Sequence, residues 1–209
     1  MVMYRKIVVL LCVFLPLAAC LTLRQSKEKI EFYTLEYDPP KMVTNEPIPV
    51  VMKMERFSVA PPYNTTRIIY RDRSFRRDAY VYYRWRANPG DLVSHFLGRD
   101  IRQSGLCTAV IPGDSRSASS HRLEGSVEEF FEWDTQENWK AVLSLSITLM
   151  AENEPDISKR VLFQKAYRAT KACAERNPGA LAEAMSRAVA EVSGQIIKDI
   201  YDALRLRSP

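Results

Sequence analysis

The side chains that could perform catalysis are few in this chain. Its only two histidines, His95 and His121, have no evident nucleophile and orienting partner in sequence, which a hydrolytic triad requires. One alternating segment carries acidic side chains at even spacings: Glu124, Glu128, Glu132 and Asp134. Such a row could hold the carboxylate pair of a glycoside hydrolase. Because even spacing is the period of a strand, we expect a solvated strand face instead, and no enzyme.

Composition excludes several other classes of function. The chain has only 7 glycines and no glycine-rich loop that could cradle a phosphate. No cysteine or histidine spacing fits a metal site, so we expect no metal and no cofactor. The net charge of +5 is mild, and no basic block is dense enough to indicate nucleic acid binding. Aspartates dilute the richest arginine cluster, residues 67–77, which favours a solvated strand edge and turn, with anionic lipid headgroups as the alternative partner.

Cys20 carries the strongest functional signal. It follows Leu-Ala-Ala and closes an apolar run, residues 7–16, that begins just after two basic side chains. The run is too short to cross a bilayer, which takes about 20 residues. This is the form of a bacterial lipoprotein signal peptide, in which the cysteine is lipidated and becomes the first residue of the mature chain. A secretory signal cleaved elsewhere and a plain membrane anchor are the alternatives.

Lipidation of Cys20 would hold the rest of the chain at a membrane outside the cytoplasm. The cysteine of such a signal peptide, called the lipobox cysteine, typically receives three acyl chains. At about 0.8 kcal/mol per buried methylene, these chains make detachment from the membrane negligible. Leu21 follows the cysteine, and a residue other than aspartate there permits export to the outer membrane. We therefore expect a signal peptide over residues 1–19, a lipidated cysteine and tether over residues 20–30, and one domain over residues 31–209.

The remaining cysteines are sorted by their position. Cys12 lies in the apolar run and is removed with it, which leaves Cys107 and Cys173. Two remaining thiols in an oxidising compartment predict a disulfide between them. Two buried free thiols that behave as small apolar side chains are the alternative.

Alternating and β-branched segments predict a sheet. Strands are expected over residues 32–37, 50–59, 67–71, 79–85, 106–111, 121–134, 141–150 and 161–167. The last three follow one another through short turns, so they predict an antiparallel meander.

Two amphipathic segments predict the main helices. Asn88 and Asn177 are each suited to cap a helix and each is followed by a proline, which suits the first helical position. Apolar residues then recur at helical spacing over residues 92–101 and 181–204. The whole pattern indicates an α+β fold, a single sheet-centred domain of mostly antiparallel strands with two main helices packed on it.

In the order of these segments, the chain resembles the ABC-type transport auxiliary lipoproteins, the family that includes paraquat-inducible protein C. The resemblance rests on the ordered set FYTLEY, PPYNTTRIIYRD, YVYYRW, SGLCTAV, HRLEGSVEEFFEWD, AVLSLSITLM and LFQKAYRA, followed by a final amphipathic helix. It covers residues 31–204, nearly the whole mature chain.

The resemblance implies a non-catalytic partner of a mammalian-cell-entry (MCE) lipid or solvent-tolerance transporter. In such systems an inner-membrane permease and ATPase serve MCE proteins that form periplasmic tubes, and the auxiliary lipoprotein docks the tube from the outer membrane. A homo-oligomeric ring of the lipoprotein is also compatible with this role. The alternative from another class is a cell-envelope structural or assembly lipoprotein, either an activator of a peptidoglycan synthase or a component of a secretion channel.

A partner surface is predicted where arginine and aromatic side chains meet near a sheet edge. Tyr63 ends a Pro-Pro-Tyr turn, and Arg71 and Arg73 lie in the arginine-rich segment that follows. Tyrosine and arginine are enriched among the residues that anchor interfaces. We therefore predict that Tyr63, Arg71 and Arg73 contact the MCE partner or a neighbouring copy of the chain.

Overall fold

The computed structural model describes residues 29–41, 47–135 and 139–206. The predicted signal peptide, Cys20 and most of the tether lie outside these residues. The elements are, in chain order, β1 (Glu31–Tyr33), β2 (Ile48–Met54), β3 (Ser58–Val59), a 3-10 turn (Pro61–Tyr63), β4 (Arg67–Arg71), β5 (Asp78–Trp85), α1 (Pro89–Gln103), β6 (Cys107–Pro112), β7 (His121–Asp134), β8 (Trp139–Ala151), α2 (Ile157–Arg160), β9 (Val161–Ala172) and α3 (Pro178–Arg205).

The long strand β7 lies at the centre of one curled sheet. Strand β8 pairs antiparallel along its length, and β9 pairs antiparallel with β8. This confirms the predicted meander. Every second side chain of β8 is buried between the sheet and the helices: Leu143, Leu145, Ile147 and Leu149. The intervening polar side chains are partly exposed, as the alternation predicts.

The opposite edge of β7 is shared by three strands in succession, and all three run parallel to it. Strand β2 pairs at its start, β3 near its middle and β4 near its end. Strand β6 adds in parallel to β2, β5 adds antiparallel to β4, and β1 adds in parallel to β5. The sheet is therefore mixed, and the expectation of mostly antiparallel strands is wrong. Short turns reveal antiparallel neighbours in a sequence, whereas these parallel pairs join segments that are distant in the chain.

Both main helices begin where the sequence predicts and cover the sheet. The side chain of Asn88 accepts a hydrogen bond from the Gly90 N–H at 3.0 Å, and Asn177 accepts one from Ala180 at 2.8 Å. Helix α3 packs against β8 and β9, α1 packs against β6 and β7, and the helices contact each other. The predicted apolar stripe of α3 is buried in full: Leu181, Met185, Ala188, Val189, Val192, Ile196, Ile200 and Leu204.

A fully buried carboxylate connects the two helices. Asp100 of α1 accepts hydrogen bonds from the Ser193 hydroxyl of α3 at 2.6 Å and from the Tyr37 hydroxyl at 2.8 Å. The Arg99 guanidinium donates to the same carboxylate at 2.7 and 2.9 Å. It also lies over the rings of Tyr37 and Phe96, at 4.5 and 4.7 Å from their centroids. Each charge in this cluster therefore has a partner, which burial of a charge requires.

A bulge in β7 reverses the alternation that the sequence predicts for its second half. Val127 pairs with Leu145 but Glu129 pairs with Ser144, so Glu128 is an extra residue without a partner in β8. One extra residue moves every later side chain to the other face of the sheet. Glu132 is consequently buried, with 1% of its surface exposed, and its predicted place on a solvated face is wrong.

The two remaining cysteines are free thiols at opposite ends of the sheet. Cys107 begins β6 and pairs with Ile48 of β2, beside the start of β7. Cys173 follows β9 and donates its N–H to the Trp139 carbonyl, at the far end of β7. The 14 residues of β7 extend about 40 Å, whereas a disulfide needs Cα atoms within about 7 Å. The predicted disulfide is therefore not formed in this structure, and burial raises the thiol pKa of Cys107 to about 12 and that of Cys173 to about 11.

Candidate partner-binding surfaces

The predicted partner surface lies at one corner of the sheet, which we call the β4–β5 corner. It consists of β4, β5 and the loop of residues 72–77 that joins them. Its base is fixed by the register of β4 on β7, where Tyr70 pairs with Glu132 and Arg71 with Trp133. The loop therefore projects from the sheet near the end of β7.

Tyr63 belongs to the core below this corner. Only 5% of its surface is exposed, and its ring stacks on Phe131 with centroids 5.8 Å apart. Arg77 completes the arrangement, because its Nε donates to the Tyr63 hydroxyl at 3.2 Å and its guanidinium lies 5.2 Å from the Phe131 centroid. Tyr63 therefore holds the corner against the sheet and presents no surface to a partner.

The two predicted arginines have different surroundings. The Arg71 guanidinium lies over the Trp133 ring at 4.9 Å, and its Nε is buried without a hydrogen bond to any described residue. The Arg73 side chain is 69% exposed and has Asp72 as its ion-pair partner at 3.6 Å. The structure therefore brings all three predicted residues to one corner, but only Arg73 points outward.

Phe75, at the tip of the loop, is the residue that sequence reasoning missed. Its side chain is fully exposed, and its backbone has φ of 62°, in the left-handed region that bulky residues rarely occupy. Arg73 and Arg76 flank it, and Arg76 pairs with Asp72 at 3.5 Å and with Asp78 at 3.4 Å. The signal available in the sequence was a lone aromatic residue inside a short charged turn.

Positive charge is concentrated at the β4–β5 corner. Residues 67–86 contain seven arginines and two aspartates, a net charge of +5, which equals the net charge of the whole chain. The rest of the chain is therefore neutral in sum. This asymmetry favours an anionic partner at the corner.

A buried acidic group lies beneath the same corner. The Tyr80 hydroxyl donates to Glu132 Oε1 at 2.9 Å. Within the described part of the chain, Glu132 Oε2 and the Trp139 indole nitrogen are both buried without a hydrogen bond of good geometry. Burial raises the pKa of Glu132 to about 7, although the nearby Trp139 and Tyr80 donors act in the opposite direction. Glu132 is therefore a buried carboxyl group with the Tyr80 hydroxyl as donor to one oxygen.

A second surface, the α1–β6 cleft, lies towards the other end of β7. It has a volume of about 640 Å³, with Asp91, His95 and Arg102 of α1 on one wall and the ends of β2 and β6 on the other. Arg56 donates to Asp91 across it at 2.8 Å. The end of β2 pairs with β7 beside the cleft, and β4 pairs with β7 at the β4–β5 corner. The two pairing positions are nine residues apart on β7, which is about 30 Å along the strand.

Both histidines make contacts with neighbouring side chains. His121 Nδ1 lies 3.0 Å from the Ser120 hydroxyl, but that hydroxyl accepts from the Val51 N–H at 3.1 Å and donates to the Val51 carbonyl at 3.2 Å. The Ser120 side chain therefore serves the contact between two strands. His95 is exposed beside the cleft, with its ring edge-to-face on Phe96. Among the described residues no cluster of three or more potential ligands is arranged to hold a metal.

Comparison with known proteins gives a family and a fold. The family model that describes the ABC-type transport auxiliary lipoprotein component matches residues 33–197. No curated protein matches the chain. Within the described residues, no helix has both the length and the apolar character needed to cross a membrane.

Three solved structures share the architecture. A Xanthomonas campestris protein of the DUF330 family has a TM-score of 0.75 at 16% identity, covering 84% of this chain and 97% of its own. An uncharacterized protein has a TM-score of 0.63 at 13% identity, covering 83% and 99%. A hypothetical protein of Chlamydia trachomatis has a TM-score of 0.51 at 8% identity, covering 77% and 100%. At these identities the similarity establishes the fold alone.

Proposed function

The chain belongs to the family of ABC-type transport auxiliary lipoprotein components, and from this membership we propose that it is the non-catalytic partner of an MCE lipid or solvent-tolerance transporter. In this proposal Cys20 is lipidated and anchors the domain to the periplasmic side of the outer membrane. The domain docks the MCE protein, which an inner-membrane permease and ATPase serve. The observation that carries the proposal is the family match across residues 33–197.

The α1–β6 cleft is our candidate for the docking surface. It is concave, and charges of both signs line it, including Asp91 and Arg102. Two of the three side chains first predicted for this contact are used inside the fold, since Tyr63 is buried and Arg71 covers Trp133. The cleft also lies about 30 Å along β7 from the β4–β5 corner, so the two surfaces can bind different partners at once.

Co-purification of the lipidated full chain from its native membranes tests the proposal. We expect the MCE protein and the ATPase to be recovered with it. Recovery of a peptidoglycan synthase or a secretion channel in their place would replace the proposal with the envelope-assembly alternative. The size of the recovered complex also shows whether several copies form a ring.

A matched pair of charge reversals tests the docking surface. Arg102→Glu changes the cleft and Arg73→Glu changes the β4–β5 corner by the same charge, and both side chains are exposed. We expect Arg102→Glu to lower recovery of the MCE protein by on the order of tenfold, the loss that one interface charge pair produces, and Arg73→Glu to leave it unchanged. The reverse result would return the contact to the β4–β5 corner. Melting temperatures of both variants exclude unfolding as the cause.

A further inference from the structure

Phe75 is held in an unfavourable position in two respects. Its apolar ring is fully exposed to solvent, and its backbone occupies a left-handed conformation that disfavours a bulky side chain. The ring lies outside the core, and the aromatic stacking of the corner is between other residues, such as Tyr63 and Phe131. A strained and exposed aromatic residue at a loop tip points to a binding role rather than a packing role.

Further apolar side chains are exposed along the same edge of the sheet. Five of the eight large apolar residues that are exposed in the described part of the chain belong to the loop, to β5 or to β1 and the residue before it: Ile30, Phe32, Phe75, Val81 and Tyr82. The Arg86 guanidinium lies over the Phe32 ring at 5.0 Å. The edge therefore combines apolar side chains with the positive charge of residues 67–86.

The chain enters the fold from the loop side of the sheet. Glu31 pairs with Tyr83, and β1 runs parallel to β5, so the residues before Glu31 lie towards Asp78 and the loop. Nine residue steps separate Lys29 from Cys20, which can span at most about 32 Å. The five residues from Tyr83 back to Asp78 cover about 17 Å. A lipid anchor at Cys20 can therefore sit in the membrane while the loop tip touches the same membrane.

We propose that the β4–β5 loop contacts the anionic lipid surface of the membrane that holds the anchor, with Phe75 inserted at the level of the headgroups and Arg73 and Arg76 bound to lipid phosphates. This inference rests on the lipidation of Cys20 in the proposed function. Aromatic rings and arginines are the side chains that occupy the membrane interface, and the anionic surface attracts basic residues close to it. The contact fixes how the domain stands on the membrane, which a flexible tether alone does not.

A lipid surface fits this corner better than a protein surface does. The loop is exposed over residues 73–77 and has a single aromatic residue at its tip, whereas the centre of a protein interface is usually a well-packed pocket that excludes water. The anchor also keeps the loop within reach of the membrane at all times, so weak binding is sufficient. A protein partner has no such advantage at this end of the molecule.

Fluorescence quenching on vesicles tests the contact. The lipidated full chain with Ser74→Cys carries an NBD probe beside an intact Phe75, and Ser117→Cys places the same probe in the exposed loop before β7, at the other end of the sheet. Labelling at pH 7 is selective, because burial raises the pKa of Cys107 and Cys173 to about 12 and about 11 and keeps both thiols protonated. The vesicles are made of phosphatidylcholine, either alone or with about 30% phosphatidylglycerol, which gives them a clear negative surface charge. Their brominated acyl chains are the quencher.

We expect strong quenching at position 74 and none at position 117, with stronger quenching in the anionic vesicles and weaker quenching at high salt. Phe75→Gly should abolish it, because glycine accepts the positive φ and keeps the loop conformation while the apolar tip is lost. Arg73→Glu should lower the ratio of inserted to free loop by on the order of tenfold, since it reverses one charge at the surface. Phe75→Leu, which keeps an apolar tip, should retain most of the quenching.

Three results would overturn the lipid contact. They are equal quenching at both positions, quenching that Phe75→Gly leaves unchanged, and an NBD response that requires added MCE protein or a second copy of the chain. If quenching fails while the transporter proteins still co-purify, the proposed function stands without this contact. If quenching succeeds and the transporter proteins do not co-purify, the contact stands and the proposed partner is wrong.

Discussion

Two clusters of arginine and aromatic side chains in this molecule have opposite surroundings. Around Asp100, the Arg99 guanidinium is stacked on Tyr37 and bonded to a carboxylate with no exposed surface. At the β4–β5 loop, Arg73 and Phe75 project into solvent, and Arg73 pairs with the partly exposed Asp72. The same residue types therefore serve the fold in one place and are available for binding in the other.

The two clusters differ in how deeply their side chains are buried and not in the types of residue they contain. A buried charge that loses its partner cannot be solvated, so each member of the Asp100 cluster is needed for stability. An exposed ion pair contributes little, because water replaces the partner and salt screens the attraction. Substitutions in the two clusters should therefore affect different measurements.

The largest effect is expected at Asp100. Asp100→Ala leaves the Tyr37 and Ser193 hydroxyls and the Arg99 guanidinium without their shared acceptor, and breaking such a buried pair costs about 3–5 kcal/mol. Urea unfolding measures the loss in the free energy of unfolding. Arg73→Ala is the control in the outer cluster and should change it by less than about 0.5 kcal/mol. Equal losses for both variants would contradict the comparison.

The next effect sharpens the comparison with a buried carboxylate that has no arginine partner. Burial raises the pKa of Glu132 from 4.5 to about 7, so the folded state binds its proton more tightly than the unfolded state does. The resulting stability is complete below pH 4.5 and is lost as the pH rises through 7. Between pH 4.5 and pH 8 the loss is about 2–3 kcal/mol, and Glu132→Gln should remove it.

Urea unfolding of Glu132→Gln and the natural chain at both pH values checks this. The variant should be the more stable of the two at pH 8, and the difference should shrink at pH 4.5. Glu128→Gln is the matched control, because Glu128 is the exposed bulge residue of the same strand. A difference for Glu132→Gln that does not vary with pH would show that folding does not raise the pKa of Glu132.

A smaller effect is expected at Tyr63, which lies between the two extremes of depth. Tyr63→Phe keeps the ring stacked on Phe131 and removes the hydroxyl that accepts from Arg77. We expect a loss of about 1 kcal/mol in the free energy of unfolding and no change in recovery of the MCE protein. A variant of normal stability that no longer recovers the MCE protein would place Tyr63 in the interface after all.

The smallest effect on stability is expected at Phe75. The left-handed backbone of Phe75 costs the folded state about 1 kcal/mol, and Phe75→Gly removes that strain. Glycine also loses more conformational entropy on folding, which offsets about 0.5–1 kcal/mol of the gain. The free energy of unfolding should therefore change by less than about 0.5 kcal/mol, as thermal unfolding can measure. A clear loss of stability would show that the exposed ring supports the fold.

Features that depend on neighbouring residues were predictable from the sequence. The asparagine caps of α1 and α3 act on residues two or three positions later, and the buried stripe of α3 repeats within single turns. The meander of β7, β8 and β9 follows from short connections. Each of these is a local pattern with a local physical cause.

Features that depend on distant residues were not predictable. The parallel partners of β7 lie far away in the chain, and the bulge at Glu128, which turns Glu132 inward, leaves no mark in an alternating pattern. The sequence grouped Tyr63, Arg71 and Arg73 near one edge of the sheet, yet it could not show that Tyr63 is covered by Arg77 or that Phe75 is exposed. Burial is a property of the assembled fold, and residue type alone does not determine it.

The shared edge of β7 also constrains the order in which the protein can fold. Strands β2, β3 and β4 all precede β7 and all need it as a partner, and the contact between Val51 and Ser120 spans 69 residues. A chain that emerges from its N-terminus therefore leaves β3 without its partner, and one edge of β2 and of β4 open, until β7 follows. Contacts so distant in sequence slow folding and leave strand edges open to aggregation. In the exported chain of the proposed function, the first half of the domain therefore needs protection by chaperones until residue 134 has crossed the membrane.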